Sequence, residues 1–325
     1  MQIEYRHSGF NRGFGVELEV GPEVPKKDIG VGLLNFECSQ EFPRMVHVED
    51  GPKGWAESRN NDYWHVKYDS SCGPVGYKID HGWEIASFVG FDEKDLRHVA
   101  NGTRTVRDIG CKVNDNCGLH YHASVSDMDV EDVSILMARW LKFEHILLQS
   151  VPTSRKNNKW CRPLRNKLPK KTQMGIFPID TAERFWFWMR PKNLSIHENY
   201  EKRVTLNVIN FARTVNEEFN DRSTVELRLP ECILEPDHVY YWGLWFLNFV
   251  DSSLYKDFPS NLDPAKTLDE ALIYMGLAGE DGEFQILDGP LHETKVWFLQ
   301  RVARNATLKK LAKRATDLLE YIGRI

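Results

Sequence analysis

Residues 13–21, Gly-Phe-Gly-Val-Glu-Leu-Glu-Val-Gly, alternate strictly in character and are closed at both ends by glycine. Successive side chains of a strand point to opposite faces, so a run of this kind reads as a strand with different chemistry on its two sides. Val16, Leu18 and Val20 are assigned to a packed face, and Glu17 and Glu19 to the other. Two further segments behave alike. In 118–125, Gly-Leu-His-Tyr-His-Ala-Ser-Val, His120 and His122 share one face while Leu119, Tyr121 and Ala123 take the opposite one. In 223–229, Ser-Thr-Val-Glu-Leu-Arg-Leu, Glu226 and Arg228 stand against Val225, Leu227 and Leu229.

Three strands with uniformly apolar alternate positions need a cover for that face. Helical spacing supplies one from Asp129 to Gln149, with apolar Val133, Leu136, Met137, Trp140, Leu141, Leu147 and Leu148 and with Asp129 as cap ahead of Glu131 and Asp132. This is expected to be an amphipathic helix on the apolar sheet face. Further helices are expected over Tyr200 to Phe211, from about His238 to Leu254, and, beyond Asp263, over Leu268 to Leu277, Leu291 to Ala303 and Leu308 to Tyr321. Residues 151–172 read as a loop carrying eight basic residues and no acid. The fold class is therefore α+β, an antiparallel sheet covered by helices. A chain of 325 residues with 42% hydrophobic content has ample material for such a core.

Several classes are excluded or disfavoured at this point. The longest apolar stretch, Tyr240 to Val250, is about half of the ~20 residues a membrane-spanning helix needs, so no membrane partner is expected. Met1 to His7 lacks the charged and apolar regions of a secretory leader, and a cytoplasmic location is expected. None of the six cysteines forms a CxxC pair, so reduced thiols are expected. A net charge of −5 argues against a protein bound to nucleic acid over most of its surface, although a local basic patch is compatible with it.

A polar sheet face is either solvated or the floor of a polar site. Solvated strand positions usually carry Thr, Lys, Ser or Gln, whereas Glu-x-Glu, His-x-His and Glu-x-Arg repel or need compensation unless an ion or ligand sits above them. Glu17 and Glu19 can share a divalent cation, and hard oxygen donors favour Mg²⁺ or Mn²⁺. The same pair is also compatible with two solvated acids on an edge strand. Glu84, in Gly82-Trp-Glu-Ile, is a lone carboxylate between apolar residues. His120 and His122 suit zinc, which wants a third soft ligand that no spacing singles out, or can donate to a phosphate. Glu226 and Arg228 combine a metal ligand with a guanidinium suited to phosphate or carboxylate, and the 151–172 loop adds positive charge. Metal-binding carboxylates beside phosphate-binding arginines describe a nucleotide phosphoryl-transfer site, without a Gly-rich phosphate loop.

Seven motifs then occur in order: Phe14-Gly-Val-Glu-Leu-Glu, Asp69-Ser-Ser, Trp83-Glu-Ile-Ala-Ser, Cys117-Gly-Leu-His-Tyr-His, Ser154-Arg-Lys-Asn-Asn-Lys-Trp-Cys-Arg-Pro-Leu, Leu206-Asn and Thr224-Val-Glu-Leu-Arg-Leu. In order and approximate spacing they resemble the amidoligase family, itself similar to the catalytic domains of glutamine synthetase and glutamate-cysteine ligase. The resemblance implies a half-open antiparallel barrel, ATP with Mg²⁺ or Mn²⁺, and amide formation between a small-molecule or peptide carboxylate and an amine. It further implies metal ligation by Glu17, Glu19, Glu84 and Glu226. His120, supported by His122, takes a place near metal and phosphates, and Arg228 contacts phosphate. Arg155 and Arg203 become candidates for phosphate or substrate carboxylate, and Asp69 a candidate to bind or deprotonate the amine. Where the family commonly has Ser-Pro after the middle glutamate, this chain has Ala86-Ser87. The expected organisation is a catalytic domain over 1–258 and a helical extension over 259–325. Two rivals make different predictions: a metal-dependent hydrolase built on the His-x-His pair, which would hold zinc and ignore ATP, and a non-catalytic nucleic-acid binder of the same fold, which would be salt-sensitive.

Overall fold

The computed structural model describes residues 10, 12–49, 62–72, 81–173, 179–192, 202–216, 223–279 and 289–323. In chain order its strands and α-helices are β1 (Phe14–Val20), α1 (Lys26–Cys38), β2 (Met45–Val48), β3 (Tyr63–Asp69), β4 (Gly82–Ala86), α2 (Glu93–Asp108), β5 (Leu119–Ser124), α3 (Val130–Leu147), α4 (Thr153–Lys156), α5 (Lys170–Gln173), α6 (Ala182–Met189), β6 (Leu206–Asn207), α7 (Ile209–Val215), β7 (Thr224–Leu227), α8 (Pro236–Ser253), α9 (Leu268–Tyr274), α10 (Pro290–Asn305) and α11 (Lys309–Ile322). The chain is α+β with mostly antiparallel strand pairing, and it divides into two compact units. None of the described helices is long and apolar enough to cross a membrane. The expected leader-free start, Met1 to His7, lies outside the described residues.

The first unit comprises Asn11–His122 and Pro230–Leu244. Its strands lie in the order β2-β3-β4-β1-β5, with β3–β4 and β4–β1 antiparallel and β2–β3 parallel. The alternation in β1 resolves as predicted: Val16, Leu18 and Val20 are buried, with Trp64 and Val66 of β3, Ile85 of β4 and Leu119 and Tyr121 of β5. Ile29 and Leu33 of α1 and Leu96, Val99 and Val106 of α2 complete this core. Glu37, at the end of α1, is fully buried and accepts hydrogen bonds from Trp64 Nε1 (2.6 Å) and the Arg44 amide (2.7 Å), with His98 Nε2 at 2.7 Å. It thereby ties α1 to β3 and α2. Gly243 lets α8 approach closely, since a Cβ there would stand 2.8 Å from Leu96 and 2.9 Å from Tyr121.

The second unit is built chiefly from Ala123–Leu229 and Trp245–Ile325. Helix α3 is capped by Asp129, as the sequence indicated, and Asp132 completes a full capping box with it. It is less amphipathic than expected, because 14 of its 18 residues are buried. Its polar members are therefore satisfied internally: Arg139 donates to Ser253 Oγ (2.6 Å) and the Tyr274 carbonyl (3.0 Å), and Lys142 to Asn261 Oδ1 (2.8 Å). Trp140 and Phe143 meet Trp245 and Phe249 of α8, with ring centroids 5.2–6.0 Å apart. The helix expected over Tyr200 to Phe211 is corrected. Residues 204–209 are buried throughout, apolar Val204, Leu206 and Val208 alternating with polar Thr205 and Asn207; Leu206–Asn207 forms β6 paired to β7, and a helix begins only at Ile209.

Candidate active site

The polar face of the first unit is assembled by strand register. Glu19 stands opposite Glu84 across β1–β4, and Glu84 opposite Lys67 across β3–β4, which puts all three on one face. Period two adds Glu17 from β1 and Asp69 from β3. His120 and His122 reach in from β5: His120 Nδ1 lies 3.4 Å from Glu17 Oε2, His120 Nε2 3.7 Å from Glu19 Oε1, and His122 Nε2 3.4 Å from Glu17 Oε1. Lys67 Nζ is 2.6 Å from Glu84 Oε1. Gly118 locks the corner, donating its amide to Glu19 Oε2 at 2.5 Å. A Cβ at position 118 would fall 2.6 Å from His120 Nε2 and 3.2 Å from Glu19 Oε2, so a side chain there would displace the histidine. Asp69 Oδ1 accepts from the amide and hydroxyl of Ser71 at 2.5 and 2.6 Å, and Glu19, Asp69 and Cys72 offer ligand atoms within 4.8 Å of one another.

Four carboxylates thus crowd one ammonium and two imidazoles, and the protonation equilibria show the strain. Burial, then repulsion from Glu17, pushes the Glu84 carboxyl up to about 8 in spite of Lys67. At Glu17 burial acts in the same upward sense, but attraction to His122, hydrogen bonds from both histidines and Lys67 outweigh it and hold the group well below the ordinary carboxyl range. The Lys67 ammonium is stabilised first by Glu84 and then by Glu17, against burial. Among the described residues of this face, carboxylates outnumber cationic groups. A divalent cation with a preference for hard oxygen donors fits this set, since it would supply positive charge and take carboxylates from two paired strands.

In the second unit β7 presents Glu226, which is 4% exposed and sits opposite Asn207 of β6. Asn207 Nδ2 donates to Glu226 Oε2 at 2.6 Å, and Arg228 Nη1 donates to Glu226 Oε1. Arg155 is 1% exposed and donates Nε to the Leu229 carbonyl (3.1 Å) and Nη2 to the Arg228 carbonyl (2.7 Å). It grips the backbone that carries Arg228 rather than facing outward as a phosphate contact. Arg203 stacks its guanidinium 4.0 Å over the Trp160 ring. The 151–172 segment also departs from the expected loop of mobile charge. It contains α4, a 3₁₀ turn and α5, and two of its cations act as struts: Lys156 donates to the Asn305 carbonyl (2.8 Å), and Arg165 to those of Leu141 (2.9 Å) and Leu262 (2.6 Å). Glu144 of α3 pins the same segment by accepting from the amides of Leu164 (2.6 Å) and Arg165 (2.9 Å).

Of the residues singled out from sequence, the structure gathers Glu17, Glu19, Asp69, Glu84, His120 and His122 in one unit, and Arg155, Glu226 and Arg228 in the other. Lys67, Gly118 and Asn207 were missed. Lys67 had a visible signal, because 63–69 alternates with Trp64 and Val66 as its buried positions.

A carboxylate-rich sheet face flanked by histidines, on an α+β scaffold, has donor chemistry suited to divalent cations. The chain belongs to the family described as "Putative amidoligase enzyme", which it matches over residues 11–250. Membership supports a ligase-type, amide-forming activity. A comparison with curated proteins finds no match. Among solved structures the chain is similar to a bifunctional glutathione synthetase from Pasteurella multocida, at 12% identity and a TM-score of 0.40, covering 95% of this chain and 48% of that one. It thus spans about half the length of that protein.

Proposed function

We propose that this chain is an ATP-dependent carboxylate–amine ligase with a glutamine synthetase-like half-barrel, working through an acyl phosphate. One observation carries the reading: in a member of the amidoligase family, Glu17, Glu19 and Glu84 meet on one partly buried sheet face with two histidines and Lys67. Glu17, Glu19 and Glu84, with Glu226, are assigned as ligands for Mg²⁺ or Mn²⁺. When bound, the ion neutralises phosphate charge.

The chain's own groups do the rest. His120, with His122 beside it, donates to a phosphate oxygen, and Arg228 stabilises the charge that develops during transfer. Arg155 holds the Arg228 backbone in place, and Arg203 binds phosphate or the substrate carboxylate. A carboxylate oxygen of the substrate attacks the γ-phosphorus and ADP leaves. The amine nitrogen then attacks the acyl carbon, phosphate leaves, and the amine proton passes to Asp69. Excluding water protects the acyl phosphate from hydrolysis.

The test uses purified protein with Mg²⁺, ATP and a panel of amino acids, peptides and polyamines, scored for nucleotide release and amide product. ADP release that depends on both an acid and an amine, and that Glu17→Gln abolishes, is the expected result. Release of neither ADP nor AMP, together with unchanged nucleotide binding in Glu17→Gln, sinks the proposal.

A further inference from the structure

The polar side of the first unit does not end at Glu84. β2 runs parallel to β3 with His47 opposite His65, and Glu49 follows two residues after His47, on the same face. The Glu49 backbone is fixed: its amide donates to the Val66 carbonyl at 3.0 Å, and its own carbonyl accepts from Lys26 Nζ. Its side chain is nonetheless buried, at 7% exposure. His47 and His65 meet edge to face with ring centroids 5.5 Å apart and planes at 72°. His47, Glu49 and His65 each offer a ligand atom, and the three atoms lie within 4.8 Å of one another. His47 Nδ1 is buried and has no hydrogen-bond partner among the described residues. Lys67 follows His65 on the same face, but its ammonium is committed to Glu84 at 2.6 Å.

We propose that His47, Glu49 and His65 form a second metal site, for a borderline divalent transition ion of the Zn²⁺ class. Two neutral imidazoles and one carboxylate are a zinc donor set that leaves a fourth position for water or a small anion. Zn–N bonds of about 2.0–2.1 Å put tetrahedral donor atoms roughly 3.4 Å apart, so side-chain rotation closes the distance that remains. Imidazole donors select against Mg²⁺ and Ca²⁺, which separates this centre chemically from the carboxylate-rich set around Glu19. The ion would clamp the edge strand β2 onto β3. Nothing in this inference rests on the ligase reading, and failure of ATP turnover leaves it standing.

The experiment strips the full chain with a chelator, adds excess Mg²⁺ to occupy oxygen-ligand sites, and titrates Co²⁺ as a spectroscopic probe. One equivalent is expected to bind with the intense visible bands of tetrahedral Co²⁺, and Zn²⁺ is expected to displace it. His47→Asn or His65→Asn should weaken binding on the order of 100-fold, and Glu17→Gln should not change it. Melting curves without metal check the fold of each variant, and with Zn²⁺ the parent chain and Glu17→Gln should gain stability while the histidine variants should not. Should a histidine variant fail to fold, Glu49→Gln, which keeps the side chain's shape, carries the same expectation. An octahedral spectrum, unchanged affinity in the folded variants, or loss of the bands in Glu17→Gln overturns the assignment. Zinc found in the purified protein is attributed by the same variants.

Discussion

Replacing Glu37 by Gln tests how the polar sheet face is held from behind. The carboxylate receives Trp64 Nε1 and His98 Nε2 on Oε1 and the Arg44 amide on Oε2, at 2.6–2.7 Å. Gln retains a carbonyl for the first two but turns an NH₂ toward the Arg44 N–H. Two bonds then pass from charge-assisted to neutral, and a third, of about 1.5–3 kcal/mol, is lost. Relief from burying a charge offsets part of this. The net expectation is a loss of about 2–4 kcal/mol at neutral pH. At roughly 2 °C per kcal/mol for a chain of this size, the melting temperature should fall by about 4–8 °C. The pH dependence gives the sharper check. The Glu37 carboxyl lies below its ordinary value, because hydrogen bonds from His98, Arg44 and Trp64 outweigh burial. A depressed carboxyl contributes stability above its unfolded pKa of about 4.3, and loses it as pH falls through the folded value. Urea melts of the two proteins should therefore diverge above that range and converge in acid. A gap below about 1 kcal/mol at pH 7, or one that persists unchanged to low pH, would refute the reasoning.

Three other expectations follow from particular contacts. Gly118→Ala places a Cβ 2.6 Å from His120 Nε2 and should cost about 1–3 kcal/mol of stability through overpacking, with Mg²⁺–ATP binding by calorimetry weakened at least ~10-fold. Arg155→Ala removes two buried donations to the carbonyls of Arg228 and Leu229 and should destabilise by about 3–5 kcal/mol in urea melts. Arg155→Lys should recover less than half of that loss, because a point donor cannot bridge both carbonyls. Since Arg155, Lys156 and Arg165 are occupied as struts, duplex DNA should bind only weakly in filter assays at physiological salt; tight, salt-sensitive binding indifferent to Glu17→Gln would return the non-catalytic reading.

What the sequence disclosed follows from the length scale of each signal. Alternation is local, so β1, β5 and β7 were legible together with the facing of Glu17, Glu19, His120, His122, Glu226 and Arg228. The cap at Asp129 was legible for the same reason. The 204–208 segment was misread because apolar residues at period two run directly into a helix at Ile209, and the helical spacing downstream masked the boundary. The pairing of His47 with His65 was out of reach. It depends on a parallel register between strands 18 positions apart at those residues, which no window along the chain contains.

Charge makes the same point in another form. A net −5 says only that acids and bases nearly balance, not where either is needed. Eight cations in 22 residues looked like a surface for anions, yet Arg155, Lys156 and Arg165 donate to main-chain carbonyls. A buried guanidinium that meets two such carbonyls satisfies acceptors that would otherwise lose water unpaired. The carboxylates of β1, β3 and β4 share one face instead, because strand register points them at one another. Lys67, two imidazoles, the Gly118 amide and the amide and hydroxyl of Ser71 answer them. The basic segment thus spends Arg155, Lys156 and Arg165 on contacts within the fold, whereas the carboxylates of the sheet face are turned toward one another.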